Sequence, residues 1–438
     1  MRDPKLAQQN RDHLDAIYSA FNEEGRLLNR AGQIEFITTI KAIESVLSKD
    51  MTIIDVGAGT GTYSLYFAKQ GYDVTALEPA LPNFQKLESK VKEANLDNLE
   101  IHHLSSLDLR QFDDQSFDIV LLFGPLYHLA DEDDRYFTLM EARRICKNGG
   151  HIFIATINHD MVAYREAVYN ANFFHEDGYD HSTLRIKDDP FVFSTVDETR
   201  SILKAVNLRL QQVIATDGIA EILLNTLEDM DDYSFQQYLK LHEKNCKSPY
   251  FMGTSSHLLF HCRQKESIKM SYPWDTDVQE EIENFNNFPV FRAEFYNDLY
   301  LRDKELSLDL RYISPGVTSS DWAPAYYYNM VVDGTVVGLI DLRIGYSENL
   351  YYAGNIGYRV HEEYRGNSYA ARACRLLRPL AQKHGMNTLC ITNDYKNIAS
   401  KRVCEKIGAK LMRLTMVPKG NAIRKEGQVF QNVYYWDL

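Results

Sequence analysis

The sequence predicts an α/β protein of two domains, and three observations support this prediction. The chain has 438 residues, which corresponds to two or three domains of ordinary size. Hydrophobic residues make up 45% and charged residues 25% of the chain, as is typical of globular proteins with packed cores. Strand patterns alternate with helix patterns in the first half, and hairpin signals follow in the second. We place the domains at residues 1–265 and 280–438, with a linker at 266–279.

Charge and composition argue against several kinds of partner. Lys and Arg total 48 and Asp and Glu total 61, so the net charge is −13. Binding to a nucleic-acid backbone rests on clustered cations, so a nucleic-acid partner is not expected. No run approaches the ~20 apolar residues of a membrane helix, and the N-terminus lacks the apolar segment of a signal peptide. The six cysteines lack C-x-x-C or zinc-site spacing. We therefore expect reduced thiols, a cytoplasmic location, no metal site and no membrane partner.

The first domain alternates between strands and helices, which predicts a parallel sheet. The predicted strands lie at 52–56, 73–77, 99–103, 117–122, 151–157 and 257–262, and the predicted helices at 63–70, 84–94 and 131–146. After Asn158 the alternation breaks, and we predict a helical lid inserted over 158–250. A strand at 208–215 interrupts this lid, and Thr195 with Glu198 predicts a capping box at one helix start.

A glycine-rich loop follows the first predicted strand and opens a helix. It reads Asp55-Val-Gly-Ala-Gly-Thr-Gly61. Glycines let the backbone turn sharply and approach a ligand, and the helix N-terminus offers unpaired N–H groups. The dinucleotide fingerprint G-x-G-x-x-G is not met, because Thr62 stands where its third glycine belongs. Glu78 closes the second strand, where a carboxylate can accept both hydroxyls of a ribose.

Together with the stretch 117–128, these residues resemble the class I S-adenosylmethionine-dependent methyltransferases over about residues 30–265. The resemblance implies a Rossmann-like sheet and S-adenosylmethionine as methyl donor. It implies donor contacts from Asp55, Gly57, Ala58, Gly59, Thr60, Gly61, Glu78, Pro79, Ser105, Ser106, Phe123 and Gly124. The glycines would line the methionine part, Glu78 the ribose and Pro79 the adenine. Ser105-Ser106 stands where the family often has an Asp that reads the adenine amino group.

Tyr127 and His128 are the candidate catalytic residues of this domain. They lie just beyond the fourth strand, in the crevice where open α/β sheets bind ligands. A general base is needed only if the acceptor arrives protonated, and packing of Tyr127 with helix capping by His128 is the alternative interpretation. The loop at 123–126 is Phe-Gly-Pro-Leu and not Asn-Pro-Pro-Tyr, which argues against methylation of a flipped DNA base. Aromatic residues in the predicted lid favour a small organic acceptor.

Hairpins mark the second domain. Its predicted strands lie at 326–332, 335–342, 353–360 and 388–392, and its predicted helices at 370–384 and 398–407. Asp333-Gly334 predicts a type I′ turn between the first two strands. The run Arg365-Gly-Asn-Ser-Tyr-Ala370 enters a helix directly after a strand, so its backbone amides are suited to a pyrophosphate.

This domain resembles the GCN5-related N-acetyltransferases (GNAT) over about residues 280–438. The loop at 365–370 is similar to the acetyl-CoA loop R/Q-x-x-G-x-G/A, with Ser368 in place of the middle glycine, and 397–408 is similar to the N-x-x-[AS]…E-K-x-G block. The resemblance implies a mixed, splayed sheet and acetyl-CoA as cofactor. It implies acetyl-CoA contacts from Tyr358, Arg359, Val360, Arg365, Gly366, Asn367, Ser368, Tyr369, Ala370 and Asn397. A positive φ at Ser368 would strain the loop, whereas a negative φ would not.

The acid and the base of acetyl transfer are less clear in the sequence. Cys404 stands where the family often has a tyrosine acid, and its thiol could protonate a leaving thiolate. A buried, inert cysteine is the alternative. The base that deprotonates the amine stays open between a water relay and four carboxylates, Asp341, Glu362, Glu363 and Asp394.

The leading hypothesis is a bifunctional transferase with small-molecule or peptide amine acceptors. It would move a methyl group in the N-terminal half and an acetyl group in the C-terminal half. One alternative joins an active methyltransferase to a degenerate GNAT domain that senses acyl-CoA. Another makes the first domain an RNA-modifying methyltransferase. The identity of either acceptor, the oligomeric state and any shared substrate stay open.

Overall fold

The computed structural model describes residues 4–20, 25, 27–187, 190–264, 270–288, 294–316 and 323–438. The chain forms two compact units, Met1–Ile268 and Lys269–Leu438. Both units combine helices with sheets, which confirms the α/β prediction. Within the described ranges, no helix has the length and apolar character needed to cross a bilayer.

A mainly parallel sheet of eight strands forms the centre of the first unit. The strands of this unit are β1 (Thr52–Val56), β2 (Asp73–Leu77), β3 (Leu99–His102), β4 (Phe117–Leu122), β5 (Cys146–Asn158), β6 (Tyr179–Asp180), β7 (Arg185–Ile186), β8 (Phe193–Ser194), β9 (Arg209–Ala215) and β10 (His257–Arg263). The sheet order is β3-β2-β1-β4-β5-β10-β9, with β8 beside β5. β1 to β5 pair in parallel, while β10 is antiparallel to β5 and β9.

Helices flank this sheet and cover its apolar strands. They are α1 (Pro4–Ala20), α2 (Arg30–Glu44), α3 (Thr62–Lys69), α4 (Leu81–Ala94), α5 (Pro125–His128), α6 (Glu132–Ile145), α7 (His159–Tyr169), α8 (Val196–Ala205), α9 (Leu224–Glu228) and α10 (Asp232–Asn245). Ile53, Ile54 and Val56 of β1 are fully buried, as expected for a strand covered on both faces. The predicted capping box of Thr195 and Glu198 at the start of α8 is confirmed.

The stretch predicted as a helical lid at 158–250 is more mixed than its sequence indicates. It contains α7 to α10, but also the β6–β7 hairpin and β8, which pairs with β5. The predicted strand interrupting it is β9, which joins the central sheet beside β10. Short two-residue strands carry too little periodicity to be read from a sequence.

β5 is longer at its start than predicted. It begins directly after α6 at Cys146 and continues through Gly149 and Gly150, which lie between the predicted helix and the predicted strand. Phe117 of β4 pairs with Cys146, and the register shifts before Ile119. A Cβ on Gly150 would lie 2.8 Å from the carbonyl oxygen of Asp118. Gly150 therefore allows β4 and β5 to approach closely, because a side chain there would overlap the backbone of Asp118.

Two antiparallel sheets form the second unit. Its strands are β11 (Leu306–Ser314), β12 (Ala325–Val332), β13 (Thr335–Arg343), β14 (Ile356–Val360), β15 (Thr388–Asp394), β16 (Lys410–Met416) and β17 (Phe430–Asp437). The first sheet has the order β11-β12-β13-β14 and the second β15-β17-β16. Asn355 joins the two sheets, because its N–H donates to the carbonyl of Cys390 (2.6 Å) and its Oδ1 accepts from the N–H of Cys390 (2.8 Å). After Asn355 the strands β14 and β15 belong to separate sheets, as expected of a splayed sheet.

The helices of the second unit pack against these sheets. They are α11 (Thr276–Asn286), α12 (Glu348–Ala353), α13 (Tyr369–Lys383), α14 (Ile398–Ile407) and α15 (Ala422–Lys425). α11 begins inside the predicted linker at 266–279, and its Val278 is buried in the core of this unit. Residues 266–269 of the predicted linker lie outside the described ranges.

The strand predicted at 353–360 divides into two elements. α12 occupies 348–353, and β14 starts only at Ile356. Gly354 has φ 74°, and a Cβ there would lie 3.1 Å from the backbone nitrogen of Thr392. The chain turns at this glycine and enters β14 beside β15, which sets up the point where the two sheets separate.

Candidate active sites

An open cavity of about 1050 Å³ lies in the first unit, where β1, β2 and β4 end. Of the residues predicted for this site, its lining includes Asp55, Gly57, Ala58, Gly59, Thr60, Glu78, Pro79, Ser105, Ser106, Phe123, Gly124, Tyr127 and His128. Gly61 does not belong to the lining. It precedes α3 with φ 86°, and a Cβ there would overlap Leu87. Gly61 therefore serves close helix packing, and its contact with the methionine part stays a prediction.

The glycine-rich loop is held closed by Glu78. Gly57 and Gly59 have φ values of 84° and 57°, which side chains rarely tolerate. The buried carboxylate of Glu78 accepts from the N–H of Gly59 (2.7 Å) and from the N–H of Ala80 (2.8 Å). A carboxylate offers about four acceptor positions. Glu78 therefore fixes the loop, and its carboxylate lines the cavity.

Asp55 contributes an unsatisfied acceptor at the edge of the cavity. Its Oδ2 accepts from the Ser64 hydroxyl (2.6 Å), whereas its buried Oδ1 has no hydrogen-bond partner. Burial raises the pKa of Asp55 to about 6, against the hydrogen bond from Ser64. A buried oxygen of this kind fits a cationic donor group. The residues of the cavity thus fit S-adenosylmethionine, whose ammonium and sulfonium are both positive.

Tyr127 and His128 line the same cavity from α5. The Nε2 of His128 lies 2.8 Å from the Tyr18 hydroxyl, and its buried Nδ1 has no hydrogen-bond partner. Burial lowers the pKa of His128 to about 4, assisted by His13. The imidazole is therefore neutral at pH 7 and only weakly basic. The Tyr127 hydroxyl donates to the carbonyl of Phe123 (3.3 Å).

A charged cluster on the far wall is missing from the sequence-based prediction. His257 of β10 lines the cavity, and its Nδ1 lies 2.8 Å from Asp217 Oδ2 and 3.7 Å from Glu35 Oε2. Burial lowers the pKa of His257, but Glu35, Asp217 and Glu221 outweigh it and raise that pKa to about 9. Asp217, Glu221 and His257 also have ligand-type atoms within 4.8 Å of one another. Glu35, Asp217 and His257 come from distant parts of the chain, so no local spacing reveals this cluster.

In the second unit, an open cavity of about 1280 Å³ lies between β14, the 365–370 loop and α14. Of the residues predicted for this site, its lining includes Tyr358, Arg359, Val360, Arg365, Gly366, Ser368, Tyr369, Ala370 and Asn397. Arg402 and Lys406 of α14 also line it and were not predicted. With Arg359 and Arg365 they bring four cations to the lining of this cavity. Such a lining favours a ligand with several phosphate charges, as acetyl-CoA has.

The loop at 365–370 has two residues in the left-handed region. Gly366 has φ 95°, and Ser368 has φ 60° and ψ 20°. A serine in this region stores roughly 1–3 kcal/mol of strain. The Ser368 hydroxyl accepts from Lys406 Nζ (2.6 Å), which ties the loop to α14. Asn367 is exposed, donates to the carbonyl of Tyr364 (3.1 Å) and does not belong to the lining of the cavity, so its contact with acetyl-CoA stays a prediction.

Cys404 lies beneath the cavity and does not line it. Its side chain is fully buried, and burial raises its pKa to about 12. Its role as a proton donor to a leaving thiolate stays a prediction, and this burial favours the alternative of an inert cysteine. Tyr358 does line the cavity, and its hydroxyl lies 2.7 Å from Ser400 Oγ. Asn397 caps α14 through its side-chain oxygen, which accepts from the N–H of Ser400 (3.0 Å).

Comparison with known proteins yields matches for both units. Residues 54–154 match the model of a family described as methyltransferase domain, and residues 256–410 match that of the acetyltransferase (GNAT) domain. A ubiquinone biosynthesis O-methyltransferase of Hydrogenovibrio crunogenus is 29% identical over 32% of this chain and 54% of its own length. One from Rickettsia bellii is 28% identical over 38% of this chain and 71% of its own. The chain thus spans about half the length of the former.

A solved SAM-dependent methyltransferase from Thermotoga maritima aligns with 58% of this chain and 100% of its own, at 15% identity and a TM-score of 0.38. The first family match lies within the first unit, and the second lies mainly on the second unit although it begins at residue 256 of the first. Each unit has the sheet arrangement expected for its match. The chain therefore joins a methyltransferase domain to an acetyltransferase (GNAT) domain.

Proposed function

We propose that the first unit transfers the methyl group of S-adenosylmethionine to a small-molecule acceptor. The observation that carries this proposal is the Glu78-closed glycine loop beside the unsatisfied Asp55 oxygen. Glu78 would hold the ribose and Asp55 the donor ammonium. The donor supplies an activated methyl group, and the protein aligns the acceptor and excludes water. His128 is neutral and can receive a proton from a protonated acceptor, although its low pKa makes it a weak base.

We further propose that the second unit transfers an acetyl group from acetyl-CoA to an amine. The four cations that line its cavity beside a backbone-amide loop support this activity. The 365–370 loop would hold the pyrophosphate, and β14 would pair with the pantetheine amides along its open edge. Because the two cavities differ in charge, each is suited to a different donor.

Calorimetry with each donor tests both halves of this proposal. We expect heat on titration with S-adenosylmethionine and, separately, with acetyl-CoA, and each donor should bind in the presence of the other. Thiol release from acetyl-CoA over a panel of amines, and methyl transfer over a panel of amines and phenols, then test turnover. Absence of heat with either donor contradicts the corresponding half.

A second candidate function makes the GNAT domain an acyl-CoA sensor. Two observations favour it: the predicted acid Cys404 is buried outside the cavity, and Ser368 strains the loop. Binding of acetyl-CoA without thiol release on any amine would support the sensor and reject the acetyltransferase.

A further inference from the structure

We propose that Asp341 is the general base of acetyl transfer, and that it serves a cationic amine held against Tyr312 and Tyr327. This inference rests on the acetyltransferase activity proposed above. It identifies one base among the four carboxylates that the sequence leaves open. It also names the class of acceptor as a positively charged amine.

The direction of the acetyl-CoA cavity follows from its two ends. The 365–370 loop supplies backbone amides and cations at one end, so the phosphates belong there. From this loop the cavity wall follows β14 backwards from Val360 to Tyr358. The thioester is at the opposite end of the donor from the phosphates. It therefore lies near Tyr358 and the adjoining Gly357.

Asp341 lies directly over the backbone at this end. It is paired with Gly357 across β13 and β14. A Cβ on Gly357 would lie 2.5 Å from Asp341 Oδ1 and 2.9 Å from Arg343 Nη2. Cross-strand partners share a face of the sheet, whereas Tyr358 points to the other face. The missing side chain at Gly357 thus leaves room for a carboxylate at the acyl end, on the face opposite Tyr358.

The other three carboxylates lie in less suitable surroundings. The Glu362 side chain is 88% exposed and 3.8 Å from Arg365, on the phosphate side of the cavity. Glu363 is exposed on the same short turn. Asp394 accepts from the N–H of Lys396 (2.8 Å) in a turn after β15. The side chain of Asp341 is only 17% exposed, whereas Glu362 and Glu363 are exposed to water.

The electrostatic surroundings of Asp341 suit a base. Burial raises its pKa, against the attraction of Arg343, whose Nε lies 3.0 Å from Asp341 Oδ2. Arg343 is itself held by the carbonyls of Ala353 (2.7 Å) and Gly354 (3.1 Å). Tyr327 is the other titratable group facing this carboxylate. A raised carboxyl pKa brings proton exchange closer to neutral pH.

A pair of stacked tyrosines continues the same cross-strand row. Tyr312 pairs with Tyr327, and Tyr327 pairs with Asp341. The two rings are stacked at 17° with centroids 4.4 Å apart, and half of Tyr312 is exposed. Aromatic faces attract ammonium groups. The row therefore offers a cation-binding surface that ends at a carboxylate.

The chemical step balances with these groups. The acceptor ammonium gives one proton to Asp341, and its lone pair forms the N–C bond to the thioester carbonyl carbon. The C–S bond breaks, and the second nitrogen proton ends on the departing sulfur. Asp341 returns its proton to water. One ammonium and one acetyl-CoA thus give an acetamide, CoA and one proton.

The test compares Asp341→Asn with the matched control Asp309→Asn, at an exposed position of β11, in the full chain. With the best amine of the panel, we expect kcat of Asp341→Asn to fall about 100-fold or more. The acid limb of its pH profile should disappear, since general bases contribute that much. Asp309→Asn should keep the wild-type pH profile. Calorimetric affinity for acetyl-CoA should stay within twofold in both variants.

Two further measurements do not depend on turnover. Carbon-13 NMR of the carboxyl groups should show, besides Asp55, an aspartate whose pKa is raised. The signal of this second aspartate should be absent from Asp341→Asn. Tyr312→Leu should weaken calorimetric binding of phenethylammonium several-fold, or raise KM with kcat unchanged. A wild-type kcat and acid limb in Asp341→Asn would overturn the assignment of the base. Absence of thiol release by the wild type with every amine would overturn the acetyltransferase function, and with it the base.

Discussion

Both units place glycines with left-handed backbone in a loop that enters a helix, but the side chains around the two loops have opposite charge. In the first unit, left-handed glycines turn a buried loop whose wall bears Asp55 and Glu78. In the second, Gly366 turns an open loop whose wall bears cations such as Arg365 and Lys406. The backbone supplies the turn and the amides in both cases. The side chains around it decide the charge of the ligand, which a glycine motif alone does not specify.

The strongest test of this comparison removes the carboxylate that closes the first loop. Glu78→Ala leaves the buried N–H groups of Gly59 and Ala80 without partners, at about 2–4 kcal/mol in the free energy of unfolding. We expect S-adenosylmethionine affinity to fall about 100-fold or more by calorimetry, with acetyl-CoA affinity unchanged. The control Glu88→Ala, on the exposed face of α4, should change neither. Unchanged donor binding in Glu78→Ala would show that charge on this wall does not select the ligand.

Substitution of Asp55 tests whether a carboxylate that is suited to a cationic ligand lowers the free energy of unfolding. Its pKa is raised to about 6, so between pH 4 and 6 the folded chain holds a proton that the unfolded chain has lost. Stability should therefore fall as pH rises through this window, by about 3 kcal/mol at most. Asp55→Asn should remove this fall in denaturant titrations while weakening S-adenosylmethionine binding about tenfold. Asp97→Asn, at an exposed site, is the control.

Removing the cations of the second wall tests the other side of the comparison. Each charged contact with a phosphate contributes about 1.5–3 kcal/mol, so Arg365→Ala should weaken acetyl-CoA binding at least tenfold. Lys406→Ala should also weaken acetyl-CoA binding. Added salt should reduce the difference in acetyl-CoA affinity between the wild type and each variant. Arg378→Ala, on the exposed face of α13, serves as control. An acetyl-CoA affinity insensitive to Arg365 and to salt would contradict an electrostatic phosphate site.

The smallest expected effect concerns Ser368, the residue of the 365–370 loop that has a left-handed backbone without being a glycine. Ser368→Gly should relieve left-handed strain but lose the hydrogen bond from Lys406 and gain chain entropy on unfolding. We expect a net gain of about 1 kcal/mol or less in the free energy of unfolding. Scanning calorimetry should show this gain as a small rise in the Tm of the transition whose Tm CoA also raises. Acetyl-CoA affinity should stay within twofold. A loss of stability would show that the tie to α14 outweighs the strain.

The sequence predicts most of the first fold because its signals are local. The strand β1, its glycine loop and Glu78 lie within 27 residues, and each carries its own pattern of burial or turn chemistry. For the same reason the lining of the donor cavity is largely predictable. The hairpin at Asp333-Gly334 follows the same rule, since both residues have positive φ as a type I′ turn requires.

The features missing from the prediction depend on long-range packing. Glu35, Asp217 and His257 meet although more than 200 residues separate the first from the last. Cys404 occupies the place of a catalytic residue in the motif, yet packing buries its side chain completely. Gly357 reads as an ordinary strand glycine until its cross-strand partner is known. Local patterns cannot report which distant residue faces a position.

Among the described strands, β14 has a partner strand on one side only beyond Asn355. An unpaired strand edge is a template for edge-to-edge association of polypeptides. A pantetheine bound along β14, as proposed above, would cover that template. Preparations depleted of CoA should therefore self-associate and precipitate more readily, so occupancy of this groove also determines how well the protein keeps in storage.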